Sequence, residues 1–303
     1  MSEALAMTAH GAAVVIALMA VLWITHLGIR NAAIVDFGWA LGLAILAVLY
    51  TVEGPGYALR RWLIATMVAL WGVRLAFYIL RERVIGHSEE GRYQQIRREW
   101  KTKLPLKFFF FFEFQAVLCV FLSLPFLLAS LNSARVLSIL EYLAAALWLV
   151  ALGGEIAADG QLAEFKSDPA NRSRVCRKGL WNYSRHPNYF FEWLIWVSYA
   201  LFATASPWGW LAWSGPALML FFLFRITGIP ATEAQALRSR GEEYRRYQQT
   251  TSPLSRGFQK RKNSHDYKCK ARMAAAPRIA HFCHCPFVRR RMVRTMARTR
   301  HSA

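Results

Sequence analysis

An all-α, polytopic membrane bundle of about seven transmembrane helices is the fold this sequence predicts, and three observations point to it. The chain is 55% hydrophobic and 18% charged, where a soluble domain carries about 25% charged residues. Apolar runs of about 20 residues recur along it, each long enough to cross a bilayer as a helix. Basic residues concentrate in alternate loops between those runs, as the positive-inside rule requires of a multi-pass protein.

The runs are Leu5–Leu27, Ala32–Tyr50, Trp62–Leu80, Phe108–Leu131, Val136–Ala157, Tyr189–Thr204 and Trp208–Thr227. The first lacks a basic leader and has Glu3 in its place, so it reads as a retained span and not a cleaved signal. The sixth is short enough to be tilted or partly interfacial. The third loop holds Arg81, Arg83, Arg92, Arg97, Arg98, Lys101, Lys103 and Lys107. The fifth holds Lys166, Arg172, Arg174, Arg177, Lys178 and Arg185. Seven spans put both loops and the chain end on the cytoplasmic side and the N-terminus outside. Arg60-Arg61, in the second loop, is the one dissent.

Two domains follow: residues 1–253 as the membrane domain, and 254–303 as a basic tail. The tail carries 14 Lys and Arg against Asp266 alone and shows no sustained apolar period, which predicts disorder. Its Cys269, His281, Cys283, His284 and Cys285 lack the paired spacing of zinc modules, so no metal site is expected. Blocks of like charge are usually solvated, and no specific nucleic-acid contact is assigned to this one. Cys119 and Cys176 give no disulfide framework.

Chemistry-bearing residues cluster on the predicted cytoplasmic side. Glu155 and Asp159, four apart at the end of the fifth span, share a helix face and repel unless a cation or donor lies between them. In Gly179-Leu-Trp-Asn-Tyr-Ser-Arg-His-Pro-Asn-Tyr-Phe-Phe-Glu192, Pro187 suits a first helical turn. That start sets Asn188 and Glu192 on one face, with Tyr189 beside them. Free N–H groups there, next to Arg185, suit an anion or a cofactor; a plain helix cap with a Glu–Arg pair is the bland alternative. Asp36 is an acid within an apolar run, which calls for a polar cavity or a partner. Arg74 lies in the third span with Tyr78 one turn on, and an Arg74–Asp36 pair between spans two and three would satisfy both groups. Arg81 and Arg83 read as residues snorkelling to the interface. Glu242 through Tyr247 reads as a soluble amphipathic helix, with a place on the membrane surface as the plainer alternative.

Asp36-Phe-Gly-Trp39, Arg74, Glu155 through Gln161, the Gly179–Glu192 run, and Gly228-Ile-Pro230 with Glu233 through Tyr247 and Thr250-Thr-Ser252 together resemble the DUF1295 family of bacterial membrane proteins. Those proteins are related to the steroid 5-alpha-reductases. The resemblance implies an oxidoreductase of the bacterial inner membrane, with NADPH held in the cytoplasmic half of the bundle. Hydride would pass to a carbon–carbon double bond conjugated to a carbonyl in a steroid-like or other lipid substrate. It implies a cofactor site made of Arg74, Glu155, Asp159, Tyr183, Arg185, His186, Asn188, Tyr189, Glu192, Glu233 and Tyr247. Tyr78 oriented by Asp36 is the catalytic donor expected. No Gly-x-Gly-x-x-Gly fingerprint is present, so helix ends and loop arginines would have to hold the nucleotide.

Two other readings stand beside this one. Isoprenylcysteine carboxyl methyltransferases and phospholipid methyltransferases carry a similar Arg-His-Pro-x-Tyr run, which leaves S-adenosylmethionine-dependent methyl transfer open. A non-catalytic lipid-binding protein is the third.

Overall fold

The structure, a computed structural model, describes residues 2–89, 91–226 and 228–254. The tail expectations, including the disorder of 254–303 and its cysteines and histidines, lie outside the described residues apart from Leu254. The described residues form ten α-helices with short 3-10 turns between them, and no strand, so the helical bundle is as expected. They are α1 (Ser2–Ile29), α2 (Ile34–Glu53), α3 (Ala58–Ile79), α4 (Gly91–Trp100), α5 (Leu104–Leu122), α6 (Leu124–Leu131), α7 (Ile139–Ser167), α8 (Pro187–Ala203), α9 (Ser214–Arg225) and α10 (Ile229–Thr250).

Six helical stretches among the described residues are long and apolar enough to cross a membrane. The expected sixth span is the exception. It is α8, whose 17 residues rise about 25 Å against a hydrocarbon core of about 30 Å. Trp208, Trp210 and Trp213 are exposed just beyond it, the belt position that aromatic rings favour at the edge of a bilayer. The expected fourth span is broken into α5 and α6 at Ser123. Pro125 has no N–H to give and its ring crowds the preceding turn. The expected seventh span opens as a 3-10 turn at Gly209–Trp213 and continues as the 12-residue α9. A Cβ on Gly209 would meet the Ala203 carbonyl at 2.0 Å, so only glycine fits that approach.

The core lies among α2, α3, α5, α7 and α8, with Trp39, Trp71, Trp196 and Tyr199 packed edge to face at its centre. Rings in these offset and T-shaped arrangements gain about 0.5–1.5 kcal/mol per pair beyond area burial. Gly154 lets α8 come close to α7, since a Cβ there would meet the Phe191 ring at 2.3 Å. A capping box starts α7: the Ser138 side chain accepts from Glu141 N, and Glu141 Oε2 accepts from Ser138 N at 2.6 Å.

Glu141 also explains the dissenting arginines. Arg60, 1% exposed, is bound to the fully buried Glu141 and donates to the carbonyls of Asn132, Ala134 and Val136. Arg61 donates to the carbonyls of Thr51 and Gly54. Arg60 ties the start of α3 to the start of α7 and Arg61 closes the α2–α3 turn, so neither behaves as a loop charge.

At the other end of the bundle α3 runs into a single π turn, Leu80–Val84, closed by Ile85 N donating to Leu80 O at 2.9 Å. Asn31 Nδ2 donates to the Arg83 carbonyl at 2.9 Å and ties this turn to the start of α2. Such turns are rare and recur at functional sites.

Candidate active site

A cavity of about 240 Å³ opens among α2, α3, α7, α8 and α9. Asp36, Trp39, Tyr78, Arg83, Glu155, Asp159, Asn188, Tyr189 and Glu192 line it, with Leu75, Met219, Phe222 and Leu223 as its apolar wall. A larger cavity of about 410 Å³ adjoins it and shares Tyr78, Arg83, Asn188 and Tyr189 as the dividing wall. Lys166, Cys176, Trp181, Arg185, His186, Arg240, Tyr244 and Tyr247 line that outer space. The two together make one cleft, with Asp36, Glu155, Asp159 and Glu192 in its smaller part and Lys166, Arg185 and Arg240 in its larger part.

Helix geometry dictates the inner cluster. Glu155 and Asp159 share one face of α7, and the cation their spacing demands is Arg74 of α3. Its guanidinium is ion-paired to Glu155 and lies 3.4 Å from Asp159. From α8, Asn188 donates to Asp159 at 3.4 Å, and Glu192, one turn on, faces Arg74 and Glu155 while accepting from Trp196 Nε1 at 3.3 Å. Glu155 Oε2 and Arg74 Nε are both buried without a hydrogen-bond partner. Unmet polar atoms of that kind are uncommon in folded proteins, and here they sit beside a cavity.

The outer wall is built by the Arg-His-Pro run and α10. Pro187 opens α8, as the sequence requires. Arg185 donates to Glu233 at 2.7 Å and to the carbonyls of Gln248 and Thr251. His186 meets the same carboxylate at 3.2 Å and stacks on Tyr189. Burial pulls the His186 imidazole below its ordinary pKa, and the Glu233 carboxylate only partly offsets that. Tyr247 donates to the carbonyls of Trp181 and Ser184. The amphipathic helix expected here docks on the site, burying Tyr244 and Tyr247 against Val175. Within α10, Gly241 takes a left-handed φ of 52° and kinks the helix.

The structure gathers most residues singled out from the sequence. Tyr78, Glu155, Asp159, Arg185, His186, Asn188, Tyr189, Glu192, Tyr247 and Asp36 all line one cavity or the other. Arg74 and Glu233 stand directly behind them, held to lining residues. Tyr183 differs: it is exposed and lines neither cavity. The Arg74–Asp36 pair is not formed, because Arg74 turns toward α7. Asp36 is instead bound by Arg92, accepts from Tyr93 Oη at 2.9 Å, and lies 3.9 Å from Arg83. Asp36 and Tyr78 share the inner cavity, but the bonds that fix Asp36 come from α4 and the π turn. Arg83, read as a snorkelling residue, lines both cavities. The π turn redirects it, and no regular helical spacing forecasts that. Lys166 and Arg240 also enter the outer cavity, from α7 and α10.

A family model described as a protein of unknown function (DUF1295) matches residues 22–251 of the chain. The chain belongs to the DUF1295 family. Every residue of the cleft falls inside the matched DUF1295 region. An uncharacterized protein of Schizosaccharomyces pombe is similar, 27% identical over 220 residues that cover 64% of this chain and 64% of the relative. The chain thus spans less than two thirds of that relative's length. No solved structure matches.

Proposed function

We propose that this DUF1295 protein is a membrane reductase that uses NADPH to reduce a carbon–carbon double bond conjugated to a carbonyl in a lipid-like substrate. The observation that carries the reading is the two-part cleft. Its larger part presents Arg83, Lys166 and Arg240 around space suited to a charged nucleotide, and its smaller part sets Leu75, Met219, Phe222 and Leu223 opposite Tyr78 and the carboxylates, which suits a lipid that carries a polar carbonyl end. Arg240 Nε, buried and without a partner, is a donor waiting for an acceptor and favours a phosphate-bearing guest.

Arg83, Lys166 and Arg240 would hold the phosphates, while Asn188 and Asp159 would meet hydroxyl and amide groups farther in. NADPH supplies the hydride when bound. The chain does the rest: Trp39 and Phe222 wall the substrate's side of the cavity, and the Tyr78 hydroxyl donates toward the substrate carbonyl oxygen, where negative charge develops. Donors aimed at such an oxygen contribute most of the rate in this kind of chemistry. The basic end of the bundle would face the cytoplasm, where the positive-inside rule and the supply of NADPH both place it, with the N-terminus outside. In a bacterium the host bilayer would be the inner membrane.

Thermal shift on the purified protein in detergent, with NADPH, NADH and S-adenosylmethionine, tests the reading. Binding at 100-fold over Kd stabilises by about 2.7 kcal/mol, so NADPH should raise Tm. Asn188→Ala, Glu192→Ala and Arg240→Gln should each shrink that rise. A rise with S-adenosylmethionine alone would make this a methyltransferase and end the proposal.

A further inference from the structure

A third cavity, of about 460 Å³, lies away from the cleft, where the end of α1, the α4 segment and the start of α5 meet. It divides by chemistry. Leu27, Leu104, Pro105 and Phe108 form an apolar side, and His26, Arg30, Glu89 and Arg97 a polar one. Its position is set by the spans themselves: Glu3–Ile29 ends here and Leu104–Leu131 begins here. Trp23, one turn below His26, donates to the Pro105 carbonyl at 2.9 Å and marks interfacial depth.

The polar side is organised before any ligand arrives. Glu89 accepts from Arg97 at 2.7 and 3.0 Å and from Ala32 N at 2.8 Å, so its charge is already compensated. Arg97 also reaches His26 Nε2 at 2.9 Å. A guanidinium can only donate, so Nε2 is the acceptor and Nδ1 carries the imidazole hydrogen. His26 is 1% exposed, and its Nδ1 meets no acceptor of good geometry, the Trp23 carbonyl one turn back included. Arg30 is exposed at the mouth, in a left-handed conformation with φ 52°. The first turn of α5, with Pro105 in it, lines the cavity and turns the positive dipole end of that helix toward this end of the bundle.

We propose that this cavity binds the phosphate of an anionic phospholipid, with Arg30 and Arg97 on the headgroup and the Leu27, Leu104 and Phe108 side chains along the first carbons of an acyl chain. The ligand chemistry is a phosphate with negative charge. The lipid source follows from the apolar half of the wall and from its place at the ends of two spans. Basic pockets between membrane helices take anionic headgroups in this way. The proposal does not depend on the reductase reading, because no residue is common to the two sites.

Native mass spectrometry of the full chain, released from detergent containing phosphatidylglycerol or phosphatidylcholine, tests it, with inorganic phosphate as a third arm. A one-to-one phosphatidylglycerol adduct should form, and phosphatidylcholine or phosphate should give none. Arg30→Gln should weaken the phosphatidylglycerol adduct about fivefold, the effect of one basic group at an anionic surface, and Arg97→Lys should weaken it as well. The proposal is overturned if Arg30→Gln binds like the parent protein. An equal loss in Arg81→Gln, whose arginine lies elsewhere on the surface, would also overturn it, as would binding of inorganic phosphate that displaces the lipid.

Discussion

Arg74 is the cation on which the inner cluster rests, so its removal gives the sharpest test. In Arg74→Met the side chain keeps its length but loses its charge, and Glu155 and Asp159 face each other with no cation between them. Breaking a buried pair by removing one partner costs about 3–5 kcal/mol. The Arg74 side chain is 23% exposed, against 4% for Glu155 and 11% for Asp159, which places the cost near the lower figure, about 3 kcal/mol. Much of that is the penalty on the stranded acid, so adding Glu155→Gln should return about 2 kcal/mol. A double-mutant cycle in reversible unfolding from mixed micelles, followed by tryptophan fluorescence, reads this coupling. If Arg74→Met costs under about 1 kcal/mol, or if the two substitutions simply add, then Arg74 is not the counter-ion of α7 and the account of the site fails.

Other outcomes follow from the same structure. Arg60→Met should destabilise by about 3–5 kcal/mol in the same unfolding assay, because it strands Glu141 in the dry interior, and Arg60→Met with Glu141→Leu should recover most of that. Gly154→Ala should cost about 1–3 kcal/mol by forcing the Phe191 ring off its contact; an unchanged Tm would show that α7 and α8 are not in close approach there. Stability should fall as pH drops below the ordinary histidine value of about 6.5. Unfolded chains then take up a proton that buried His186 resists, so stability is full above that pH and declines toward the lowered folded value. His186→Asn should flatten that part of the pH profile of Tm, and a profile unchanged by the substitution would count against the burial argument.

What the sequence could show depended on period. Glu155 and Asp159, or Asn188 and Glu192, are read correctly because four-residue spacing means one helix face wherever the helix is regular. Pro187 marks the start of α8 for an equally local reason. Reading fails where partners are remote or geometry is irregular. Whether Arg74 pairs with Asp36 or with Glu155 is a choice between α2 and α7, settled only by how the helices pack. Arg83 depends on a π turn that no propensity announces. The break at Ser123 was within reach, since Pro125 sits inside an apolar run that otherwise reads as one span. The docking of α10 was not, because an amphipathic face fits a bilayer surface as well as it fits Val175.

The π turn at Leu80–Val84 has a consequence for length changes in this region. A residue inserted into a helical turn rotates everything after it by about 100° relative to a regular helix. Here that offset brings the Arg83 side chain round to both cavities while leaving Arg74 and Tyr78 in phase with the rest of α3. Removing one residue between Leu80 and Val84 would restore the regular winding and turn Arg83 away from its present place, and it would shift Arg92 of α4, which binds Asp36, along with it. In this stretch the count of residues, as much as their identity, is what keeps the positive charge in the cleft.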